Sequence, residues 1–218
     1  MRTGLLITTF NRPEYLSECL DSVSKILQFE GDELWILIVD DSSTDPETLR
    51  LTAYFQMPHV EVRKMRFFQN KGISHALRIG FNYLFSCGCQ NVLNLDADAI
   101  VKPEFIEVLT RLKSMYPFHI ISGFNTQSVD PKTGAIRHKT VSKFGDHCLK
   151  KSIGGINMLI DEKQYKTIVL PALKTPGHWD WNVCKRTEGF IVSTPSVVQH
   201  IGIAKGINMN NPDVAFDF

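Results

Sequence analysis

The sequence predicts an α/β fold: one domain over residues 1–218, built on a mostly parallel central sheet flanked by helices. Three observations predict it. Short, continuous apolar runs alternate with helical stripes through the first half of the chain. The runs lack the polar alternation of a strand with one wet face, so they read as strands covered on both sides. Each run then empties into a polar loop, which is where an open α/β sheet keeps its ligand-binding segments. At 218 residues and 43% hydrophobic content the chain can bury one sizeable core.

The elements follow in order. Gly4–Thr9 is a short buried strand, and Asn11-Arg12-Pro13-Glu14 supplies a capping residue and a proline suited to a helix's first turn. Leu16, Leu20, Val23 and Leu27 recur at helical spacing. Leu34–Val39 is a second strand, ending in the polar loop Asp40–Glu47 that launches a helix through Leu49 and Ala53. Val60–Met65 alternates as a more exposed strand. Ile73, Ala76, Leu77, Gly80, Phe81, Leu84 and Phe85 form a helical stripe that Gly88 can end. Asn91–Leu95 is the next strand, and Pro103 opens a helix carrying Phe105, Val108, Leu109 and Leu112. Beyond residue 118 the alternation loosens. His119–Ser122 and Ile156–Ile160 read as strands joined by a long polar connection, with a hairpin or turn at Asp130–Gly134. Residues 208–218 read as a loosely held tail.

Composition narrows the function classes. A formal net charge of +1 gives no reason to expect nucleic acid or an anionic membrane as partner, while leaving room for a small basic phosphate cleft. The five cysteines are odd in number and unevenly spaced, which reads as free thiols rather than a disulfide framework. No segment resembles a signal peptide or an integral membrane span, and no Asn-x-Ser/Thr acceptor occurs. The expectation is a soluble, cytoplasmic protein, with peripheral membrane association left open.

The chemistry concentrates in Asn94-Leu95-Asp96-Ala97-Asp98, an apolar strand running into two carboxylates one residue apart. Side chains alternate along an extended chain, so Asp96 and Asp98 can leave the same face. That makes an oxygen-rich site suited to Mg²⁺ or Mn²⁺ shared with a diphosphate. The spacing alone is weak: with thirteen Asp in the chain, an Asp-x-Asp arises by chance about once.

Context strengthens it. Thr8-Thr9-Phe10-Asn11-Arg12-Pro13, Ile38-Val39-Asp40-Asp41-Ser42-Ser43, Asn70-Lys71-Gly72 and Leu95-Asp96-Ala97-Asp98 resemble, in kind and order, the motifs of GT-A glycosyltransferases, closest to the inverting family 2. The resemblance covers about residues 3–112. It implies a GT-A (Rossmann-like) domain in which about 1–112 binds a nucleotide-sugar, most often UDP-linked, and about 113–207 shapes the acceptor site. Carried over by position, Thr8, Phe10 and Arg12 line the base and diphosphate, with Arg12 able to fork onto phosphate. Asp40 reads the base edge, Lys71 belongs to the donor site, Asp96 serves the ribose or the metal through water, and Asp98 holds the metal. Asp41 is open between a ligand role and capping its loop. The chain departs from the family's usual Ala-Arg-Asn by carrying Ala76-Leu77-Arg78, so Arg78 stands one residue out of place as a donor contact.

In the second half, Gly155 within Gly154-Gly155-Ile156-Asn157 resembles the strand start that admits the donor sugar, since glycine lets a ligand approach the backbone. Trp179-Asp180-Trp181 resembles the family's acidic element at a late helix start. There Asp180 is the catalytic base for an acceptor hydroxyl, and Trp179 and Trp181 offer faces for sugar stacking. His200, in Val198-Gln199-His200, corresponds to the remaining metal ligand, and Lys205 to a loop cation that meets phosphate. The expected reaction is metal-dependent transfer, with Mn²⁺ or Mg²⁺, from a UDP-sugar to a glycan or other hydroxyl acceptor, with inversion. Alternatives are a retaining GT-A transferase, a noncatalytic carbohydrate-binding module and a donor hydrolase. A sugar-1-phosphate nucleotidyltransferase is disfavoured because Thr8–Arg12 stands where its glycine-rich loop would lie.

Overall fold

The structure, a computed structural model, describes residues 1–27, 33–127, 129, 133–202 and 213–218. Its elements run β1 (Arg2–Thr9), α1 (Pro13–Ser24), β2 (Glu33–Asp40), α2 (Pro46–Tyr54), β3 (Glu61–Arg66), α3 (Ile73–Ser86) and β4 (Asn91–Asp96). These first strands pair in parallel in the order β3-β2-β1-β4. The order reverses between β1 and β4, which makes the carboxyl ends of these two strands the natural crevice of the sheet. Local signals mark several helix ends. Pro13 and Pro46 sit in first turns, and Asp45 caps α2 by accepting from the Thr48 N–H at 2.7 Å. Gly88, at φ +83°, follows the end of α3. The first helix stops at Ser24, so Leu27 falls outside the expected stripe and lies 52% exposed.

The second half extends the same sheet in mixed directions. β5 (Ala99–Val101), α4 (Phe105–Met115), β6 (Ile120–Ser122), β7 (Thr140–Phe144), β8 (His147–Lys150) and β9 (Asn157–Asp161) come next. Then follow α5 (Glu162–Gln164), a π-helical turn (Tyr165–Val169), α6 (Leu170–Lys174), α7 (Trp179–Cys184), β10 (Phe190–Ser193) and β11 (Val198–His200). The main sheet continues from β4 as β9-β6-β10-β8-β7, with β9 antiparallel to β4. The small β5–β11 ribbon stands apart. The long polar connection thus holds a hairpin, β7–β8, that the sequence did not betray. Part of the expected turn at Asp130–Gly134 lies outside the described residues, but a bridge between Val129 and Ile136 closes around it. Residues 213–218, read from sequence as part of a loose tail, pair with the body through a bridge between Thr126 and Ala215.

Alternation along the strands divides the core in two. Leu5, Ile7, Ile36, Ile38, Leu93 and Leu95 face one side, where Leu16, Leu20 and Val23 of α1 and Leu109 and Leu112 of α4 cover them. Leu6, Leu37, Val39 and Val92 face the other, against Leu77, Phe81 and Leu84 of α3 and, further on, Tyr165 and Trp179. Each fully buried aliphatic or aromatic side chain contributes about 1.5–3 kcal/mol, so the two clusters hold the ends of β1 and β4 in a rigid frame.

Candidate active site

A cleft of about 250 Å³ opens at the β1–β4 switch point, lined by residues 8–12, Ile73 and residues 96–98. Register puts Thr8 beside Asp96 and Thr9 beside Asp40. Beyond β1 the chain turns through two left-handed residues, Asn11 at φ 55° and Arg12 at φ 61°. Such a turn is costly for residues other than glycine and needs support. Asn11 provides it by hooking the β2–α2 loop: its Oδ1 accepts from the Thr44 and Asp45 N–H groups, each at 3.0 Å, and its own N–H donates to Ser43 Oγ at 2.8 Å. The turn aims Arg12 across the cleft, where Nη1 donates to Asp98 Oδ2 at 2.8 Å. Phe10 is half exposed at the rim, whereas Thr8 is buried with its hydroxyl unpartnered.

The same Asp98 oxygen faces His200, whose Nε2 lies 3.5 Å away. The antiparallel β5–β11 ribbon pairs His200 with Ala99, and the Ile201 N–H donates to the Asp98 carbonyl at 2.8 Å, so backbone bonds fix this approach. Burial acts to raise the Asp98 carboxyl, but the contact with His200 and the charges of His200 and Arg12 outweigh it and hold the group below the usual carboxylate range. Burial conversely works to lower His200, and Asp98 carries the imidazole above its ordinary value. Asp96 behaves oppositely. Burial, then the Asp98 charge, pushes its carboxyl well above the usual range, and its Oδ1 is closed to solvent without a partner.

Gly202 completes the cradle. A Cβ there would lie 2.3 Å from Asp98 Oδ2 and 2.8 Å from His200 Nε2, so only glycine leaves these two groups their space. One carboxylate oxygen and one imidazole nitrogen over an open cradle suit Mn²⁺, with diphosphate or water oxygens filling its remaining positions. Among the described residues no cluster of three or more His, Cys, Asp or Glu converges on a metal-sized space.

Other expected donor contacts sit further out. Asp40 is fully buried; its Oδ1 accepts from the Ser43 N–H at 2.9 Å. Its Oδ2 lies 3.2 Å from Arg66 Nε, an ionic contact without hydrogen-bond alignment, so that oxygen keeps an unused acceptor site. Asp41 proves to be a loop clamp, accepting from the Lys71 and Gly72 N–H groups, each at 2.7 Å. Lys71 is thereby pinned through its backbone while its side chain stays exposed. Arg78 turns to His75, with Nη2 3.1 Å from Nδ1, and the charges acting on Asp96 come from Asp98, His200, Asp180 and Arg12 instead. Lys205 lies outside the described residues.

Asp180 stands in the first turn of α7, and its charge adds to those that raise the Asp96 carboxyl. A chain of buried contacts sets its position. Asn94, a fully buried polar residue in an apolar strand, donates to the Gly155 carbonyl at 2.8 Å, and Asn157 Nδ2 donates back to the Asn94 carbonyl at 2.8 Å. The Gly155 turn is then overlaid by α7: a Cβ there would lie 2.8 Å from the Trp179 ring and 3.3 Å from Asp180 Cβ. The expectation for Gly155 changes accordingly, because its missing side chain makes room for Trp179. That tryptophan is 8% exposed and belongs to the core, which corrects its assignment as a stacking surface. Trp181 faces outward, 39% exposed, and stacks on His138 with ring centroids 5.4 Å apart. Gly202 and Asn94 were not singled out from the sequence, and Asn11, expected there as the cap of the first helix, instead holds the β2–α2 loop while Arg12 takes the cap position without a side-chain bond. A polar residue inside Val92-Leu93-Asn94-Leu95 was the available signal for Asn94; Gly202 emerges only from long-range contacts.

A parallel half ending in paired carboxylates at its switch point, joined to a mixed half that returns an acid and a histidine, defines the GT-A class of glycosyltransferase folds. Residues 5–168 match the model of Glycosyl transferase family 2, and the chain belongs to that family. It is similar to Staphylococcus aureus TarS residues 1–349 (TM-score 0.65, 15% identity, 91% of this chain and 60% of that one). It is similar also to GalNAc-T7 with UDP, GalNAc and Mn²⁺ (TM-score 0.72, 15% identity, 92% and 44%). A mannosyltransferase from Pyrobaculum calidifontis with GDP-Man and Mn²⁺ aligns over 76% of this chain and 46% of its own (TM-score 0.53, 14% identity). The chain thus spans about half the length of these structures, and at such identities the likeness is one of fold.

Proposed function

We propose that this glycosyltransferase moves a sugar from a UDP-linked donor to a hydroxyl acceptor, with inversion and with the help of Mn²⁺ or Mg²⁺. The observation that carries the reading is the meeting of Arg12, Asp98 and His200 at one carboxylate oxygen at the end of β4. Structures of similar fold contain UDP-GlcNAc, UDP or Mn²⁺, which supports the choice of donor and metal class. Asp98 and His200 would hold the metal, which when bound neutralises charge on the diphosphate. Arg12 would share its guanidinium with a phosphate oxygen. Asp40's spare oxygen would accept from a base N–H once the Arg66 side chain, at the end of β3, moves aside.

The acceptor oxygen would attack the anomeric carbon as the bond from that carbon to the diphosphate breaks, and the electron pair would leave with the diphosphate. Asp180 would take the hydroxyl proton. Trp181, exposed beside it, would stack on the acceptor's sugar ring. Gly155 and Trp179 would set the acid's height above the donor rather than touch sugar.

Isothermal titration of UDP- and GDP-sugars with and without Mn²⁺, followed by an acceptor screen with mass detection, tests the reading. Asp98→Ala should abolish metal-dependent nucleotide binding, whereas Asp180→Asn should bind donor normally and lose transfer by roughly 10²–10⁴-fold. Full transfer by the Asp180 variant would remove it as the base. Proton NMR of the product's anomeric centre reads the stereochemistry, and retention would overturn direct displacement.

A further inference from the structure

We propose that the segment Asp213–Asp217 sets which nitrogen of His200 carries the proton, with Gln199 as the positioning residue that holds the segment there; this rests on His200 being a metal ligand. His200 Nδ1 lies 3.0 Å from the Asp213 carbonyl oxygen. A carbonyl only accepts, so Nδ1 must carry the hydrogen. In the neutral ring that leaves the lone pair on Nε2, the atom that faces Asp98 Oδ2 at 3.5 Å above the space left by Gly202. The other tautomer would set a lone pair against the carbonyl at 3.0 Å and turn its N–H toward Asp98 Oδ2 at the longer 3.5 Å, an oxygen that already accepts from Arg12 at 2.8 Å, so the carbonyl offers the ring its closer acceptor. A partner that orients an imidazole in this way is commonly worth about 10–100-fold in metal affinity.

Gln199 makes the arrangement determinate. Its Oε1 accepts from the Ala215 N–H at 2.8 Å and from the His200 N–H at 3.0 Å, and its Nε2 donates to the Ala215 carbonyl at 3.1 Å. Flipping the amide would put its NH₂ against two N–H groups, so one orientation satisfies all three bonds. On either side, Thr126 Oγ1 donates to Asp213 Oδ1. Asp217 accepts from Asn125 Nδ2 at 2.8 Å, from the Ser196 N–H at 3.1 Å and from the Ser196 hydroxyl. Gln199, Thr126, Asn125 and Ser196 do not line the cleft between β1 and β4. Their route to that cleft runs through the Asp213 carbonyl and His200.

The test uses the full chain, ¹⁵N-labelled at histidine and free of metal, at a pH that keeps the ring neutral, with the His200 signal assigned by its loss in His200→Ala. Wild type should show the Nδ1–H tautomer alone. Gln199→Met, which keeps the volume and loses the polar atoms, should show both tautomers. Its Mn²⁺ affinity, read by electron paramagnetic resonance in the presence of UDP, should fall about tenfold. Thr126→Val releases Asp213 by another route and should move both readouts the same way, which covers a poorly folding Gln199 variant. A purely structural role would shift melting temperature and leave the tautomer alone. An Nε2–H tautomer in wild type, or variants that keep both tautomer and affinity, would overturn the inference. If His200→Ala binds Mn²⁺ as wild type does, the metal-ligand reading has failed instead, and the tautomer arm still judges the segment.

Discussion

At Asp96 a carboxyl is held where its charge is disfavoured, by burial first and then by Asp98. Between the ordinary carboxylate range and the raised value of Asp96, the folded chain binds the proton more tightly than the unfolded chain. Stability from this group is therefore fully present below the ordinary range and is lost as pH rises through the folded value. Asp96→Asn should accordingly stabilise the metal-free protein. Relief of about 1 kcal/mol would raise Tm by roughly 2–4 °C. Urea titrations across pH should show the two proteins alike at low pH and the variant ahead near neutrality, whereas equal stability near neutrality would refute the penalty. Gly202 offers a complementary test. The Cβ introduced by Gly202→Ala would press on Asp98 Oδ2, so Mn²⁺ affinity with UDP present should fall at least roughly tenfold, on the scale of lost metal-site support. Calorimetric titration reads it, and unchanged affinity would exclude Gly202 from the cradle.

Among the elements, α7 depends on a joint that lies beneath it. Asn94 ties β4 to the Gly155 turn, and Trp179 lies on that turn. Asn94→Leu would leave the Gly155 carbonyl unpaired, at a cost of about 1–3 kcal/mol. The transfer rate should also fall, with donor affinity retained, because Asp180 shifts while the Arg12–Asp98 side stays in place. Stopped assays alongside donor titration separate the two, and equal losses in both would refute the separation. Elements with strong patterns were legible in the sequence: β1 and β2 carry continuous apolar runs, β4 is apolar between its ends but for Asn94, and α1 and α3 carry clear stripes. β7 was not, since its residues are mostly exposed or half-buried at the sheet edge, and β5 and β11 are each only three residues long. Their pairing across almost a hundred residues brings His200 to Asp98, and no local pattern encodes it.

At the scale of the whole molecule, protection should follow sheet position. Amides of β1 and β4, buried and paired on both sides, should exchange slowest, and those of β7 fastest. Hydrogen-exchange mass spectrometry checks this, and a β7–β8 hairpin protected as well as β1 would contradict it. The cleft at the ends of β1 and β4 was legible because its residues cluster in short loops after β1, β2 and β4. The surroundings of α7 were less so, because the opposite fates of Trp179 and Trp181 depend on which face of a six-residue helix meets Gly155. That division has a practical meaning for altering acceptor preference. Trp181 on α7 and Lys185 just past its end are exposed, so a saturation library at these two positions should yield mostly soluble protein with varied acceptor profiles. The same library at Gly155 and Trp179 should lose most of its members to misfolding, because there Asp180 and the core share one contact.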